Sequence, residues 1–194
     1  MRIIILGDAG TGKTCLIKRY CEPSRFAGTK YMPTIGVDYG TKTITTAADD
    51  SHPPLMVKID FFDLSGDSNY TEVRNEFYTN VDGVLLTFDV TSKRSFESLR
   101  RWQEEVSEYG LFTPSAMTTA IVVGTKIDRP REVKEQEGLA FAIQNNATYF
   151  ETSAKTGEGV DDLFQYMLQE LTRMQQTKAA AAPCTFSVIH LPQL

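Results

Sequence analysis

The chain is poor in the side chains that most often carry redox, metal or acid–base chemistry. Its 194 residues hold 3 cysteines and 2 histidines. Cys15, Cys21 and Cys184 form no C-x-x-C pair, which speaks against a zinc site or a disulfide framework and for a reducing compartment. His52 and His190 fall in a turn-like stretch and in the terminal segment, where an incidental role outweighs metal binding or catalysis. No apolar run reaches the roughly 20 residues that span a bilayer, and Ile3–Leu6 is too short for the apolar part of a signal peptide. Positive charge is not in excess: 20 Lys and Arg against 25 Asp and Glu give a net charge of −5, which disfavours nucleic acid as a partner. No internal repeat of solenoid spacing is present. What remains is an ordinary globular composition, 23% charged and 41% hydrophobic, in a length that fits one domain with a proper core.

The glycines are clustered near the start. Gly7-Asp8-Ala9-Gly10-Thr11-Gly12-Lys13-Thr14 matches G-x-x-x-x-G-K-[ST] in full. Arg2–Leu6 before it reads as a buried strand, and Cys15–Tyr20 after it as a helix, the setting that a phosphate-binding loop requires. Glycine lets the backbone curl around an anion with no Cβ in the way. The curled backbone then points N–H groups inward, and the following helix adds its positive end. Lys13 reaches the outer phosphates as a compact charge, and the Thr14 hydroxyl suits Mg²⁺, a hard cation that prefers oxygen.

Strands and helices alternate from there on. Val37–Thr46 and Leu55–Phe62 read as a hairpin around the polar turn Ala47–Pro54, with Leu55, Val57, Ile59 and Phe61 on one face. Gly83–Val90 and Thr119–Gly124 are near-continuous apolar runs, as buried parallel strands are. Ser95–Tyr109 carries Phe96, Leu99, Trp102, Val106 and Tyr109 at helical spacing, a stripe better read as core than as a ligand platform. Val133–Asn146 predicts a helix interrupted by Gly138, Thr148–Glu151 a short strand, and Val160 to Met174 a long final helix. The order predicts a largely parallel sheet with helices on both faces, its ligand at the carboxyl ends of the strands.

Further motifs fall at those ends. Asp63-Leu64-Ser65-Gly66 follows the hairpin: the Asp63 carboxylate can hold Mg²⁺ through water, and Gly66 can offer its N–H to a γ-phosphate, although an Asp-x-x-Gly turn is also a common structural device. Thr125-Lys126-Ile127-Asp128 follows the next apolar strand. The Asp128 carboxylate can accept two hydrogen bonds from guanine N1 and N2, a donor pair that adenine lacks, while the Lys126 stem lies against the purine. In Glu151-Thr152-Ser153-Ala154-Lys155, a backbone N–H near Ala154 can meet guanine O6.

With these four motifs in this order, the chain resembles the small GTPases of the Ras superfamily over residues 1–176. The resemblance implies a P-loop α/β fold with a six-stranded, mostly parallel sheet, GTP and GDP as ligands, and Mg²⁺. Tyr31-Met32-Pro33-Thr34-Ile35-Gly36-Val37-Asp38-Tyr39 resembles the Rab version of the first switch, which makes Thr34 the second hydroxyl on the metal. Phe26 becomes the aromatic edge against the base, one residue further from Thr34 than usual. The implied nucleotide contacts are Asp8, Ala9, Gly10, Thr11, Gly12, Lys13, Thr14, Cys15, Phe26, Thr34, Gly66, Thr125, Lys126, Asp128, Ser153, Ala154 and Lys155, with Thr14, Thr34 and Asp63 for the metal. Residues 18–22, Thr34 to Gly40 and Val73 to Tyr78 are most similar to the RJL branch, Rab-like proteins of which some carry a J domain; the His-Pro-Asp tripeptide of that domain is absent here.

Departures from the family bear on mechanism. Gln is usual directly after the D-x-x-G glycine, where with Gly66 and Lys13 it belongs to the catalytic set and orients the attacking water; this chain has Asp67. A carboxylate is shorter, lacks the amide donor and adds negative charge beside a γ-phosphate, and orientation is most of what the protein supplies to phosphoryl transfer. Very slow intrinsic hydrolysis is therefore expected, against the alternatives that Asp67 positions water adequately or that the chain is an ordinary cycling GTPase stimulated by a partner. Ala9 adds a methyl where it can crowd water or an inserted arginine. Thr125 replaces the commoner Asn, and guanine selectivity is expected to persist. A P-loop kinase reading lacks any sign of an acceptor site or lid. Effectors recruited by residues 35–39 and 68–78, with Arg74, Phe77 and Tyr78 either as contacts or as packing, and an exchange factor are the implied partners of a monomer. Cys184 lies too far from the end for a prenylation box, so no stable membrane anchor is expected, and the expected location is the cytoplasm or the nucleus. Thr177–Leu194 reads as a disordered tail, with a docking peptide as the alternative.

Overall fold

The computed structural model describes residues 1–26, 32–45, 56–113, 116 and 118–181. Its strands are β1 (Arg2–Leu6), β2 (Val37–Thr45), β3 (Met56–Leu64), β4 (Gly83–Asp89), β5 (Thr119–Thr125) and β6 (Thr148–Thr152). Its helices are α1 (Lys13–Cys21), α2 (Thr71–Asn75), α3 (Lys93–Glu97), α4 (Leu99–Ser107), α5 (Glu135–Gln144) and α6 (Val160–Ala181), with short 3-10 turns at Pro23–Arg25 and Ser68–Tyr70. The strands form one sheet in the order β2-β3-β1-β4-β5-β6. Only the β2–β3 pair is antiparallel, with Tyr39 opposite Phe62; β1 pairs in parallel with β3 and β4, and β5 with β4 and β6.

The central strands are apolar on both faces because both faces are covered. Ile3, Ile5, Leu85, Ile121 and Val123 pack under α1 and α6, against Leu16, Tyr20, Leu163, Phe164 and Met167. Ile4, Leu6, Leu86, Phe88 and Val122 pack on the other face against Leu99, Trp102, Val106 and Ala142. The hairpin strand β3 alternates, with Val57, Ile59 and Phe61 inward, as expected from its period of two; the expected Leu55, Ala47–Pro54 turn and Tyr31 lie outside the described residues.

Several boundaries differ from the sequence expectation. The stripe from Ser95 to Tyr109 is split in two, with Ser98 between α3 and α4 donating its hydroxyl to Arg94 O at 3.1 Å, the local back-bonding that bends helices. Leu99, Trp102 and Val106 are buried as expected, but Tyr109 lies beyond α4 and is exposed, its ring edge-on to Tyr78. The expected tail from Thr177 is helical as far as Ala181, since α6 continues without a break. Cys184 and His190 lie outside the described residues. Gly138 sits inside α5 because the Tyr149 ring occupies the space its Cβ would take, at 2.5 Å. No described helix is long and apolar enough to cross a membrane.

Candidate phosphate-loop site

The loop between β1 and α1 is held from within. Gly12 caps α1 in the left-handed region (φ 98°), which a side chain rarely adopts. The Lys13 ammonium donates to Gly7 O at 2.7 Å and Asp8 O at 2.9 Å and so spans the loop. Burial pushes its pKa from 10.5 to about 8, the Asp63 and Asp8 carboxylates opposing the shift. Thr11 and Thr87 share a hydrogen bond at 3.1 Å, with Thr11 Oγ1 also 3.0 Å from Asp8 O. The Asp8 carboxylate is fixed from α4, accepting from Trp102 Nε1 at 2.8 Å and from Arg101 at 2.9 Å. Trp102 is therefore core, as expected, and also a support of the loop. Cys15 is half-buried in the first turn of α1, while Ala9 and Gly10 are exposed at the loop tip.

A cluster of oxygens forms beside Lys13. Asp63 and Leu64 belong to β3 rather than following it, because the ladder with β2 continues to Val37–Leu64. Asp63 Oδ2 accepts from the Thr14 hydroxyl and lies 3.3 Å from the Thr34 hydroxyl; the two hydroxyls are 3.1 Å apart. Burial raises the Asp63 pKa, which the Thr14 hydroxyl and Lys13 only partly offset. Its second oxygen, Oδ1, is buried without a hydrogen-bond partner. Two hydroxyls and one carboxylate, one of whose oxygens lacks a hydrogen bond, suit a hard divalent cation. Gly66 presses on the loop: a Cβ there would meet Ala9 N at 2.3 Å.

The remaining motifs close the other side. Thr125 ends β5, and its hydroxyl lies 2.5 Å from Thr11 O and 2.9 Å from Phe88 O, which ties this strand to the phosphate loop. The Lys126 ammonium donates to Gly10 O at 2.7 Å and to Asp89 Oδ2 at 2.6 Å. Asp128 Oδ1 accepts from Ser153 Oγ at 2.7 Å, while Oδ2 is buried with no hydrogen-bond partner, 3.8 Å from the largely exposed Lys155 ammonium. The Ser153 hydrogen bond is the main cause holding the Asp128 carboxyl below its ordinary value. Ala154 is half-buried in the turn between Ser153 and Lys155. Phe26 stands on this side too: the Arg19 guanidinium lies 5.5 Å from its ring and donates to Thr156 O at 3.2 Å.

Two supports escaped the sequence reading. Asp89, at the end of β4, partners Lys126; its signal was a carboxylate ending an apolar strand, as Asp63 does. Arg131 and Glu151 form a two-pronged pair at 2.9 and 2.8 Å, and Tyr149 donates to Glu151 at 2.7 Å, which joins the segment after β5 to β6. Asp67 is exposed, and its carboxylate accepts the Asn69 N–H at 2.9 Å, capping its own turn.

Arg74 and Tyr78 are buried, which resolves them as packing rather than surface contacts. Arg74 donates to the carbonyls of Ser65 (3.1 Å) and Asp67 (2.7 Å), to Thr71 and to both oxygens of Glu105, with its guanidinium 4.7 Å from the Trp102 ring. Tyr78 donates to Glu105 at 2.5 Å. Phe77 is half-buried; Met32, Ile35, Tyr39 and Val73 are exposed.

A glycine loop on a strand–helix junction, with an oxygen cluster beside it, at the carboxyl end of a parallel sheet defines the P-loop α/β class. The Ras family profile matches residues 2–173, and the chain belongs to the Ras family. It is 40% identical over 168 residues to the protein named DnaJ homolog subfamily C member 27 of Gallus gallus and of Bos taurus, covering 85% of this chain and 59% of each relative. The Danio rerio protein of that name is 38% identical over 177 residues, covering 90% and 62%. The chain thus spans about three fifths of the length of these curated relatives. Their DnaJ name agrees with the Rab-like, RJL-type resemblance carried by residues 18–22, 34–40 and 73–78.

Proposed function

We propose that this chain is a guanine-nucleotide-operated switch of Rab-like, RJL type that hydrolyses GTP very slowly. Two buried carboxylate oxygens that receive no hydrogen bond carry the reading. Asp63 Oδ1 stands beside two hydroxyls, and Asp128 Oδ2 stands where its twin oxygen is already fixed. An unpaired buried carboxylate oxygen is costly, and a Mg²⁺ ion at the first and the N–H pair of guanine at the second would relieve both. Thr14, Thr34 and Asp63 would hold the metal, Asp63 through water, and the loop from Asp8 to Cys15 would bind the phosphates. When bound, Mg²⁺ would neutralise phosphate charge. Thr34 belongs to the first switch segment and Gly66 to the second, so contacts made only with a γ-phosphate would tighten both and present residues 35–39 and 68–78 to an effector. An exchange factor would reset the cycle, and the chain would act as a monomer.

Slow hydrolysis is supported by Asp67, whose carboxylate is engaged with the Asn69 N–H and has no donor to offer to water. Single-turnover hydrolysis of preloaded GTP tests this. Wild type and Asp67→Ala are expected to be similarly slow, with Asp67→Gln faster by about tenfold or more. A large loss in Asp67→Ala would show the carboxylate to be the working group and overturn the slow-switch reading. No uptake of GDP or GTP in calorimetry would overturn the nucleotide reading itself.

A further inference from the structure

The exposed aromatic surface between the two switch segments contains a cation. The rings of Tyr39 and Phe62 are 5.5 Å apart, and those of Phe62 and Phe77 5.2 Å apart. Beside Gly36, Val73 and Tyr70 lie at van der Waals distance from where a Cβ would stand, so Ile35 to Tyr39 and Tyr70 to Phe77 form one continuous patch. Arg2 opens β1 beneath it. Its guanidinium carbon lies 4.5 Å from the centroid of the Phe62 ring and 5.5 Å from that of Phe77. Arg2 Nε is buried and has no hydrogen-bond partner among the described residues.

Among the described residues, no carboxylate forms an ion pair with the Arg2 guanidinium. Asp82 accepts from the backbone N–H of Arg2 at 2.8 Å. Asp60 is held by the Tyr39 hydroxyl and by Lys58, 3.1 Å away. A guanidinium on an aromatic face keeps its charge and tolerates partial burial. Arg2 is half-buried, and a partner that covered the aromatic rings would remove its remaining exposure to solvent. A purely apolar cover would leave that cation uncompensated, which is strongly unfavourable. The rim adds a second constraint. Glu72 on α2 and Glu76 just past it are exposed, and they repel acidic groups placed over them. Lys58, the other cation beside Tyr39, is already paired with Asp60 at 3.1 Å, which leaves Arg2 as the cation without an acidic partner among the described residues.

We infer that the protein partner received by this surface carries an apolar contact face with one aspartate or glutamate set against Arg2. The inference rests on the switch reading above and names the chemistry of its effector. Arg2 would act as the residue that selects among apolar partners, since charged pairs closed off from water govern specificity.

The test is a selection from displayed three-helix scaffolds with one randomised face, against the full chain loaded with a non-hydrolysable GTP analogue. Binders weakened at least about tenfold by Tyr39→Ala are expected to share an Asp or Glu at one randomised position. Their affinity is expected to fall about tenfold or more with Arg2→Gln and to stay within a few-fold with Arg2→Lys. Thermal unfolding of Arg2→Gln and Arg2→Lys checks that both variants are folded. Selection against Arg2→Glu is expected to replace the acid with Lys or Arg. Tyr39-dependent binders that lack the acid, or that ignore Arg2→Gln, overturn the inference and leave the effector surface standing. Failure to obtain any binder sensitive to Tyr39→Ala overturns the effector surface as well.

Discussion

Four strands deliver a carboxylate to the same end of the sheet: Asp63 on β3, Asp89 on β4, Asp128 just past β5 and Glu151 on β6. Each is then fixed by its own donors. Asp63 takes hydroxyls, Asp89 a lysine, Asp128 a serine, and Glu151 an arginine fork with a tyrosine. Glu151 gives a residue-scale prediction. Burial alone would raise its pKa, but the Arg131 and Tyr149 hydrogen bonds outweigh burial and hold it below the ordinary 4.5. A carboxyl depressed in the folded state contributes stability above its unfolded pKa, and that contribution is lost as pH falls through the folded value. Glu151→Gln is expected to lower stability at pH 7 by about 1 kcal/mol, discounted for the partial solvent exposure of Arg131. Urea unfolding should show this gap closing as pH drops below 4.5; a gap unchanged at pH 3 would refute the assignment.

At the scale of elements, α2 is only Thr71–Asn75, too short to stand by its own hydrogen bonds. Arg74 holds it by gripping the Ser65 and Asp67 carbonyls on one side and Glu105 of α4 on the other. Arg74→Ala leaves Glu105 without its charge partner and is expected to cost about 3 kcal/mol, read by urea unfolding, with Arg74→Lys recovering only part because it lacks the fork. A loss below about 0.5 kcal/mol would contradict this role. The same elements show what was legible. Period-two alternation in β3, unbroken apolar runs in β4 and β5, and the stripe of α6 fixed the sheet, because burial on two faces or on one leaves a pattern in the chain. Each phosphate-side and base-side motif sat beside a strand that could be read. The supports were not legible, because Arg131–Glu151 and Trp102–Asp8 join residues whose meeting depends on the sheet's strand order. Gly138 read as an interruption since its reason, the Tyr149 ring, comes from a neighbouring strand. The break at Ser98 arises from a hydroxyl bond that helical spacing does not encode.

For the whole molecule, a ligand that engages only the folded state, as one reaching Asp63 and Asp128 would, adds its binding energy to stability. GDP with Mg²⁺ at about a thousand times its Kd is expected to add about 4 kcal/mol, a rise of roughly 8–16 °C in Tm for a domain of this size. Chelation by EDTA is expected to reverse part of that rise. A midpoint indifferent to EDTA would remove Thr14, Thr34 and Asp63 as a metal site.

The hydroxyl of Thr125 reaching Thr11 spans 114 positions of sequence, and Asp128 takes its side-chain hydrogen bond from Ser153. On the nucleotide reading proposed above, a nascent chain that has not yet released β6 and the turn after it would have a phosphate loop but no finished pocket for a base. Loading would then be a late event of biogenesis, and a ribosome-bound intermediate shorter than this would gain no stability from nucleotide.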